Sequence, residues 1–297
     1  MTSERVQELA AWQQNLAQAG YIAEPGLVAA LLLMQDLERP LLLEGDAGVG
    51  KTEVAKVLAT MRKTRLIRLQ CYEGLDAHSA MYEWNYQRQL LAIKLLEHDE
   101  RGVAQKEQDI FSDRYLLKRP LLEAITCEQP PVLLIDEVDR ADEAFEAYLL
   151  ELLSDFQLSI PELGTVHAVT RPLVVITSNG TRELSDALRR RCLYQYIDYP
   201  DYDKELAIVR VKAPEVPAAL AAQIVAFVQS VRRMELQKKP GIAETLDWAA
   251  ALLRLDISVI DKDGAERIMQ TLSTLVKTRD DRVAFTREVV ARLAAAC

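Results

Sequence analysis

The sequence predicts an α/β protein, a parallel sheet flanked by helices over residues 1–199, followed by a small all-helical domain over residues 200–297. Three observations carry that prediction. Short continuous apolar runs (Leu41 to Leu43, Val132 to Ile135, Pro172 to Thr177) alternate with helical periodicity, the pattern of strands buried on both faces. The first run feeds directly into Gly45-Asp46-Ala47-Gly48-Val49-Gly50-Lys51-Thr52, after which Val54, Val57 and Leu58 recur at helical spacing. Beyond Tyr199-Pro200-Asp201 the apolar spacing is helical throughout, with Leu220, Ile224, Phe227, Val228 and Val231, then Leu246, Ala250 and Leu253, then Phe285, Val289 and Leu293.

Taken in order, residues 3–18 place Val6, Leu9, Ala10 and Leu16 on one helical face, and Pro25 opens a second, mostly apolar helix to Leu37. Pro40 starts the first strand. Thr64 to Leu69 reads as the second, with the polar Gln70 just past its end. From Glu73 to about Ile125 the period is helical but interrupted. Leu90, Leu91, Ile93, Leu95 and Leu96 are apolar, Glu97 to Asp109 reads as a solvated loop, and Leu116 to Ile125 reads as a helix returning to the sheet. Val132 to Ile135 ends in Asp136-Glu137 and leads to a helix from Ala141 to Asp155. Phe156 to Ile160 and Thr165 to Val169 flank a turn and predict a hairpin. A further strand ends at Ser178-Asn179. A helix through Leu188 and the strand Leu193 to Ile197 complete this part.

Composition narrows the class. Hydrophobic residues make up 49% and charged ones 27% of 297 residues, as in ordinary soluble proteins. A net charge of -9 weighs against coating nucleic acid. Four cysteines and three histidines fall without metal-ligand spacing, so neither a structural metal site nor a disulfide framework is expected. No apolar run is long enough to span a bilayer, and no export signal is read; a cytoplasmic protein is expected.

The loop after the first strand has the composition that phosphate binding demands. Its glycines let the backbone turn tightly and aim N–H groups at phosphate oxygens, and the following helix presents its positive end to the same anion. Lys51 would reach the β- and γ-phosphates, and the Thr52 hydroxyl would hold Mg²⁺. Asp136 stands at a strand carboxyl end, where open parallel sheets line their ligand crevice, and would hold Mg²⁺ directly or through water. Glu137 suits a base that orients the water attacking the γ-phosphate, and Asn179, also at a strand end, would help position that water. Arg189, Arg190 and Arg191 form a basic cluster, which reads either as surface charge or as a guanidinium source for a neighbouring subunit's γ-phosphate.

The ordered set GDAGVGKT, VLLIDEVDRAD, FQLSIPELGTVHA and VVITSNGTRELSDALRRRC, followed by a helical region, resembles the AAA+ ATPases of the MoxR family. FQLSIPELGT and PGIAETLDWAAALL are similar to the branch that includes the ATPase of carbon monoxide dehydrogenase maturation. The resemblance covers about residues 20–255 and implies a P-loop NTPase fold of AAA+ type with a helical lid. It implies ATP and Mg²⁺ as cofactors, held by Gly45 through Glu53 with Tyr21 and Ile22 beside the adenine, and Thr52 and Asp136 at the metal. Glu137 and Asn179 would be catalytic, Arg190 or Arg191 would act as an arginine finger in trans, and Gln70 would restrain Glu137 until a client engages. The Phe156 to Val169 hairpin would be the insert before the Asn179 sensor. A homohexameric ring, a partner with a von Willebrand factor A domain and a protein client follow as expectations, with no nucleic acid and no membrane insertion. The stretch Gly241-Ile242-Ala243-Glu244-Thr245 departs from relatives that carry a γ-phosphate-sensing arginine there, so no lid arginine is assigned. A DNA-directed motor and a nucleotide-dependent scaffold with little turnover are the alternative readings.

Overall fold

The computed structural model describes residues 3–95 and 102–297, which fall into two compact units. One comprises Pro25–Glu44 and Ala55–Gln195; the other comprises Met1–Glu24, Gly45–Val54 and Tyr196–Cys297.

The strands, in chain order, are β1 (Leu41–Glu44), β2 (Leu66–Gln70), β3 (Tyr82–Trp84), β4 (Leu116–Lys118), β5 (Val132–Asp136), β6 (Gln157–Ile160), β7 (Gly164–His167), β8 (Leu173–Ser178) and β9 (Leu193–Tyr196). Five of them form one sheet in the order β2-β5-β8-β1-β9, flanked by helices. Pairing of β2 with β5, β5 with β8 and β8 with β1 is parallel. All five residues of β5 are buried, which is why that segment is an unbroken apolar run until its final carboxylate. Register then decides the chemistry. Gln70 stands opposite Asp136, and Glu44 opposite Ser178, so the polar ends of β2, β5, β8 and β1 lie along one edge.

Several elements differ from the sequence reading. Leu116 to Ile125 is not one helix: β4 pairs antiparallel with β3, and the helix is Pro120–Thr126. Proline at the first helical position sets that boundary, because its missing N–H costs nothing there. Trp84 of β3 packs edge-on to Phe111 with centroids 5.4 Å apart, so the small ribbon has an aromatic anchor invisible to periodicity. Within the expected loop Glu97 to Asp109, residues 97–101 lie outside the described residues, and Val103–Ile110 is helical. Leu96 is likewise undescribed. β2 is shifted, so Gln70 is its last residue rather than beyond it. The helix after β5 starts at Glu143, capped by the Asp142 carboxylate accepting from the Phe145 N–H at 2.8 Å. In the N-terminal helix Ser3–Gln18 only Leu16 is buried, while Val6 is 49% exposed; the packed stripe is confined to its end.

In the second unit, the helices Tyr202–Lys212, Ala218–Arg232, Ile242–Arg254, Ala265–Thr271, Arg279–Ala284 and Arg287–Ala295 enclose a core of their own. The helix Ile242–Arg254 buries Thr245, Trp248, Ala249 and Leu252; Ala250 points outward. The bulky Trp248 sets that orientation. Its ring lies 4.8 Å from that of Phe227, and its Nε1–H donates to Thr271 Oγ1 at 2.7 Å. Glu205, wholly buried, is held by both Arg232 guanidinium nitrogens at 2.6 and 2.7 Å and by the Thr245 hydroxyl at 2.7 Å. A buried carboxylate tolerates this environment only because its lone pairs are taken.

Trp248→Ala is expected to cost about 3–5 kcal/mol through the cavity it leaves and the lost bond to the Thr271 hydroxyl. Chemical denaturation followed by far-ultraviolet dichroism measures this directly.

Candidate functional site

The carboxylates at the end of β5 are built by backbone turns as much as by side chains. Asp136 is 3% exposed, and each of its oxygens has a donor. Thr177 Oγ1 donates to Oδ1 at 2.5 Å, while Arg68 reaches Oδ2 through Nε at 3.1 Å and Nη2 at 2.6 Å. Immediately after the strand, Glu137 adopts a left-handed conformation at φ 56°, rare for a residue with a side chain and frequent at functional turns. Its N–H donates to Thr177 Oγ1 at 2.9 Å, so one hydroxyl fixes both acidic residues.

That turn brings the Glu137 carboxylate to three donors. Gln70 Nε2 lies 3.0 Å and Arg140 Nη1 3.3 Å from Oε2, and Asn179 Nδ2 lies 3.4 Å from Oε1. Asn179 is itself positioned by Asp139, whose Oδ1 accepts the Asn179 N–H at 3.2 Å. Asp139 Oδ2 accepts from both the N–H and the hydroxyl of Thr181, at 2.9 and 2.6 Å. Burial would raise the Asp139 pKa, but the bonds from Thr181 and Asn179 outweigh it and hold the carboxyl below its ordinary range. Cys71, next to Gln70, is pushed up to about 12 by burial and then by Asp136, Asp139 and Glu137, so its thiol stays protonated and is no nucleophile.

The glycine-rich loop follows Glu44 directly along the chain and packs within the other unit. Gly45 sits at φ 159°, and a Cβ there would stand 2.2 Å from the Ile197 carbonyl oxygen. Gly48, at φ 82°, faces Gly241 so closely that a Cβ on Gly241 would meet Gly48 backbone at 2.7 Å. Ile242 N–H donates to the Gly48 carbonyl at 2.9 Å, and Glu244 takes the Gly241 N–H at 3.0 Å. The loop backbone therefore lies against the start of the helix Ile242–Arg254 with no side chain between them. Lys51 opens the helix Lys51–Arg62, is 6% exposed, and donates from Nζ to the carbonyls of Gly45 and Asp46 at 2.7 and 2.8 Å. Thr52 is half-buried in the first turn.

Around the loop, Asp46 and Ala47 are exposed, Val49 is buried and Gly50 takes φ 97°. Tyr199 is pushed up to about 12, by burial first and then by Asp46, against the opposing Arg232 guanidinium 5.0 Å from its ring. Tyr21 and Ile22 are half-buried, and the Tyr21 hydroxyl is pushed well above its ordinary range by burial, with Glu24 and Glu53 adding to it. Glu53 pairs with Lys212 at 2.9 Å, which ties it to the helical part of its own unit.

A family model described as the AAA domain, dynein-related subfamily, matches residues 40–192, more than half of the chain. The chain belongs to this family. Its sequence is 25% identical over 260 residues to an uncharacterized protein of Staphylococcus haemolyticus, a match covering 82% of this chain and 91% of the relative. An uncharacterized protein of Staphylococcus aureus strain NCTC 8325 is 27% identical over the same length, with the same coverages. Among solved structures, a RuvB mutant of Thermotoga maritima aligns with 92% of this chain and 72% of its own, at TM-score 0.48 and 18% identity. A second Thermotoga maritima chain, titled RuvB Holliday junction branch migration motor, aligns at TM-score 0.43 and 17% identity over 95% and 72%.

For this AAA domain the arginine cluster resolves into three environments. Arg189 pairs with Glu44 at 3.3 Å, and Arg191 donates to Ser154 Oγ at 2.5 Å and the Ala187 carbonyl at 3.1 Å. The exposed Arg190 side chain has no hydrogen-bonding or ionic partner among the described residues. Sequence reasoning missed Arg68 and Thr177. The signals were present: a cation alternating within the apolar strand TRLIRL, and a hydroxyl closing PLVVIT. Among the described residues, no group of three or more His, Cys, Asp and Glu is arranged to hold a metal ion, and no helix is long and apolar enough to cross a membrane.

Asp139→Asn is expected to destabilise the protein by about 1–3 kcal/mol near neutral pH, because an amide nitrogen would face backbone and hydroxyl donors. With the folded pKa depressed, the wild-type advantage is fully present above the ordinary carboxylate value of about 3.9 and shrinks as pH falls through the folded value. Denaturation midpoints of both proteins across pH 7 to 3 check the sign.

Proposed function

We propose that this AAA domain is an ATP-hydrolysing motor of the MoxR-like chaperone type. The observation that carries the reading is the turn at Glu137: a carboxylate swung out at the end of β5, beside a buried Asp136 and within reach of Asn179. Lys51 and the loop N–H groups would bind the phosphates, with Tyr21 and Ile22 beside the base. Asp136 and the Thr52 hydroxyl are hard oxygen donors of the kind Mg²⁺ takes, and such an ion would supply charge neutralisation on the β- and γ-oxygens.

Glu137 would accept a proton from the attacking water as its oxygen bonds to the γ-phosphorus and the bond to the β,γ-bridging oxygen breaks, leaving ADP and phosphate. Asn179 would hold that water. Arg190, with no partner among the described residues, is the best supplied candidate for a finger acting on a neighbouring protomer, which favours a ring, expected to be hexameric. Resemblance adds a partner bearing a von Willebrand factor A domain and a metalloenzyme client undergoing maturation. The acidic net charge of -9 and the lack of an export signal in the sequence add a cytoplasmic setting without nucleic acid.

The test is ATP turnover together with mass in solution. A higher oligomer with ATP is expected, with Glu137→Gln lowering turnover by roughly 10² to 10⁴-fold while still binding nucleotide. Arg190→Ala is expected to lose roughly 10³-fold or more, and to be rescued partially by mixing with Glu137→Gln subunits that contribute Arg190. A monomer whose turnover equals that of Glu137→Gln would sink the motor reading. Salt-dependent binding to DNA would favour the DNA-directed alternative.

A further inference from the structure

We infer that Arg68 is a displaceable latch that couples cation binding at Asp136 to the release of Glu137. The inference rests on the ATPase reading above and adds to it a positioning residue. Its basis is a continuous chain of bonds along the polar ends of β2 and β5. Arg68 grips Asp136 Oδ2 with Nε and Nη2. The same Nη2 donates to Gln70 Oε1 at 2.5 Å, and Gln70 Nε2 donates to Glu137 Oε2 at 3.0 Å. The amide's orientation is dictated by chemistry, since only its oxygen can face a guanidinium and only its nitrogen can face a carboxylate.

Physical consequences follow from occupancy. Thr177 donates once to Oδ1, whereas Arg68 donates twice to Oδ2, so a cation or its water that reaches Oδ2 must displace the guanidinium. Asp136 is almost fully buried, whereas the Arg68 side chain is 51% exposed. The carboxylate cannot leave, but the guanidinium can swing into water at little cost. Once Arg68 yields Oδ2 it also loses the geometry that pins Gln70 Oε1, and the amide is free to rotate away from Glu137. Gln70's hold on Glu137 would thus be released when charge arrives at Asp136, leaving the carboxylate to Arg140 and Asn179. The forked guanidinium matters: a lysine has the charge but not the planar pair of donors that joins Asp136 to Gln70.

The experiment titrates Mn²⁺ into the full chain with a non-hydrolysable ATP analogue, reading free Mn²⁺ by electron paramagnetic resonance, beside basal ATP turnover. Arg68→Ala is expected to lower the Mn²⁺ half-saturation on the order of fivefold, since the ion no longer displaces a cation, and to raise basal turnover. Arg68→Lys is expected to keep the wild-type Mn²⁺ half-saturation and yet raise turnover. Gln70→Ala is expected to raise turnover without moving the metal curve, and adding Arg68→Ala to it should raise turnover no further.

A merely structural Arg68 predicts the opposite, weaker Mn²⁺ binding in Arg68→Ala from a misplaced Asp136. That result, or an unchanged curve, overturns the latch, as does wild-type turnover in Arg68→Lys. If the wild type takes up analogue and hydrolyses ATP while Arg68→Ala binds Mn²⁺ no tighter, the latch alone fails. A wild type that takes up neither analogue nor Mn²⁺ removes the ATPase reading beneath it.

Discussion

A buried carboxylate at the end of a buried strand is the constraint on which the sheet edge depends. Asp136 closes an apolar run and is itself buried, and an uncompensated charge there would cost several kcal/mol. The fold meets that cost with a hydroxyl from β8 and a guanidinium from β2, both delivered by parallel register rather than by sequence proximity. Thr177 Oγ1 donates its proton to Asp136 and accepts the Glu137 N–H, which fixes the left-handed turn. The posture of Glu137 and the compensation of Asp136 are therefore one arrangement. A change to any of the three neighbouring strands reaches both acidic residues.

The glycine-rich loop obeys a second constraint, the absence of Cβ atoms. Gly45 meets the Ile197 carbonyl and Gly48 meets Gly241, contacts that any side chain would close off. The start of the helix Ile242–Arg254 is thereby bonded to the loop through the Ile242 N–H. Further along that helix, Thr245 joins the buried Glu205–Arg232 pair. Strain or movement in the helical core would reach the phosphate-binding loop by backbone contact alone. This is the sort of rigid connection through which nucleotide state and helical packing exchange free energy. Glu244 caps its own helix by taking the Gly241 N–H.

Most of the αβ fold was legible because buried parallel strands need continuous apolar runs, and the chain has them at β1, β5 and β8. The hairpin of β6 and β7 was legible from alternating residues around Pro161-Glu162-Leu163-Gly164. Between residues 73 and 125 the reading failed at β3 and β4, which are three residues each, too short for any periodicity to register. Their anchors, Trp84 and Phe111, are far apart in the chain. In the helical unit the helices were legible but the inward face of Ile242–Arg254 was not, since Leu246 and Leu253 compete with Trp248 and only packing volume settles the contest.

By itself the sequence determined the phosphate-loop composition, the strand ending in Asp136-Glu137 and the apolar alternation of a covered parallel sheet. These are local demands, met by residues adjacent in the chain. Tertiary structure alone decided that Arg68 and Thr177 would share Asp136 and that Gln70 and Asn179 would reach Glu137. It alone separated Arg190, with no partner among the described residues, from Arg189 and Arg191. Those pairings join residues up to about a hundred and fifty positions apart, as with Arg189 and Glu44. The physical reason is strand register: it sets which side chains meet at a sheet edge, and it exists only once the strands have paired.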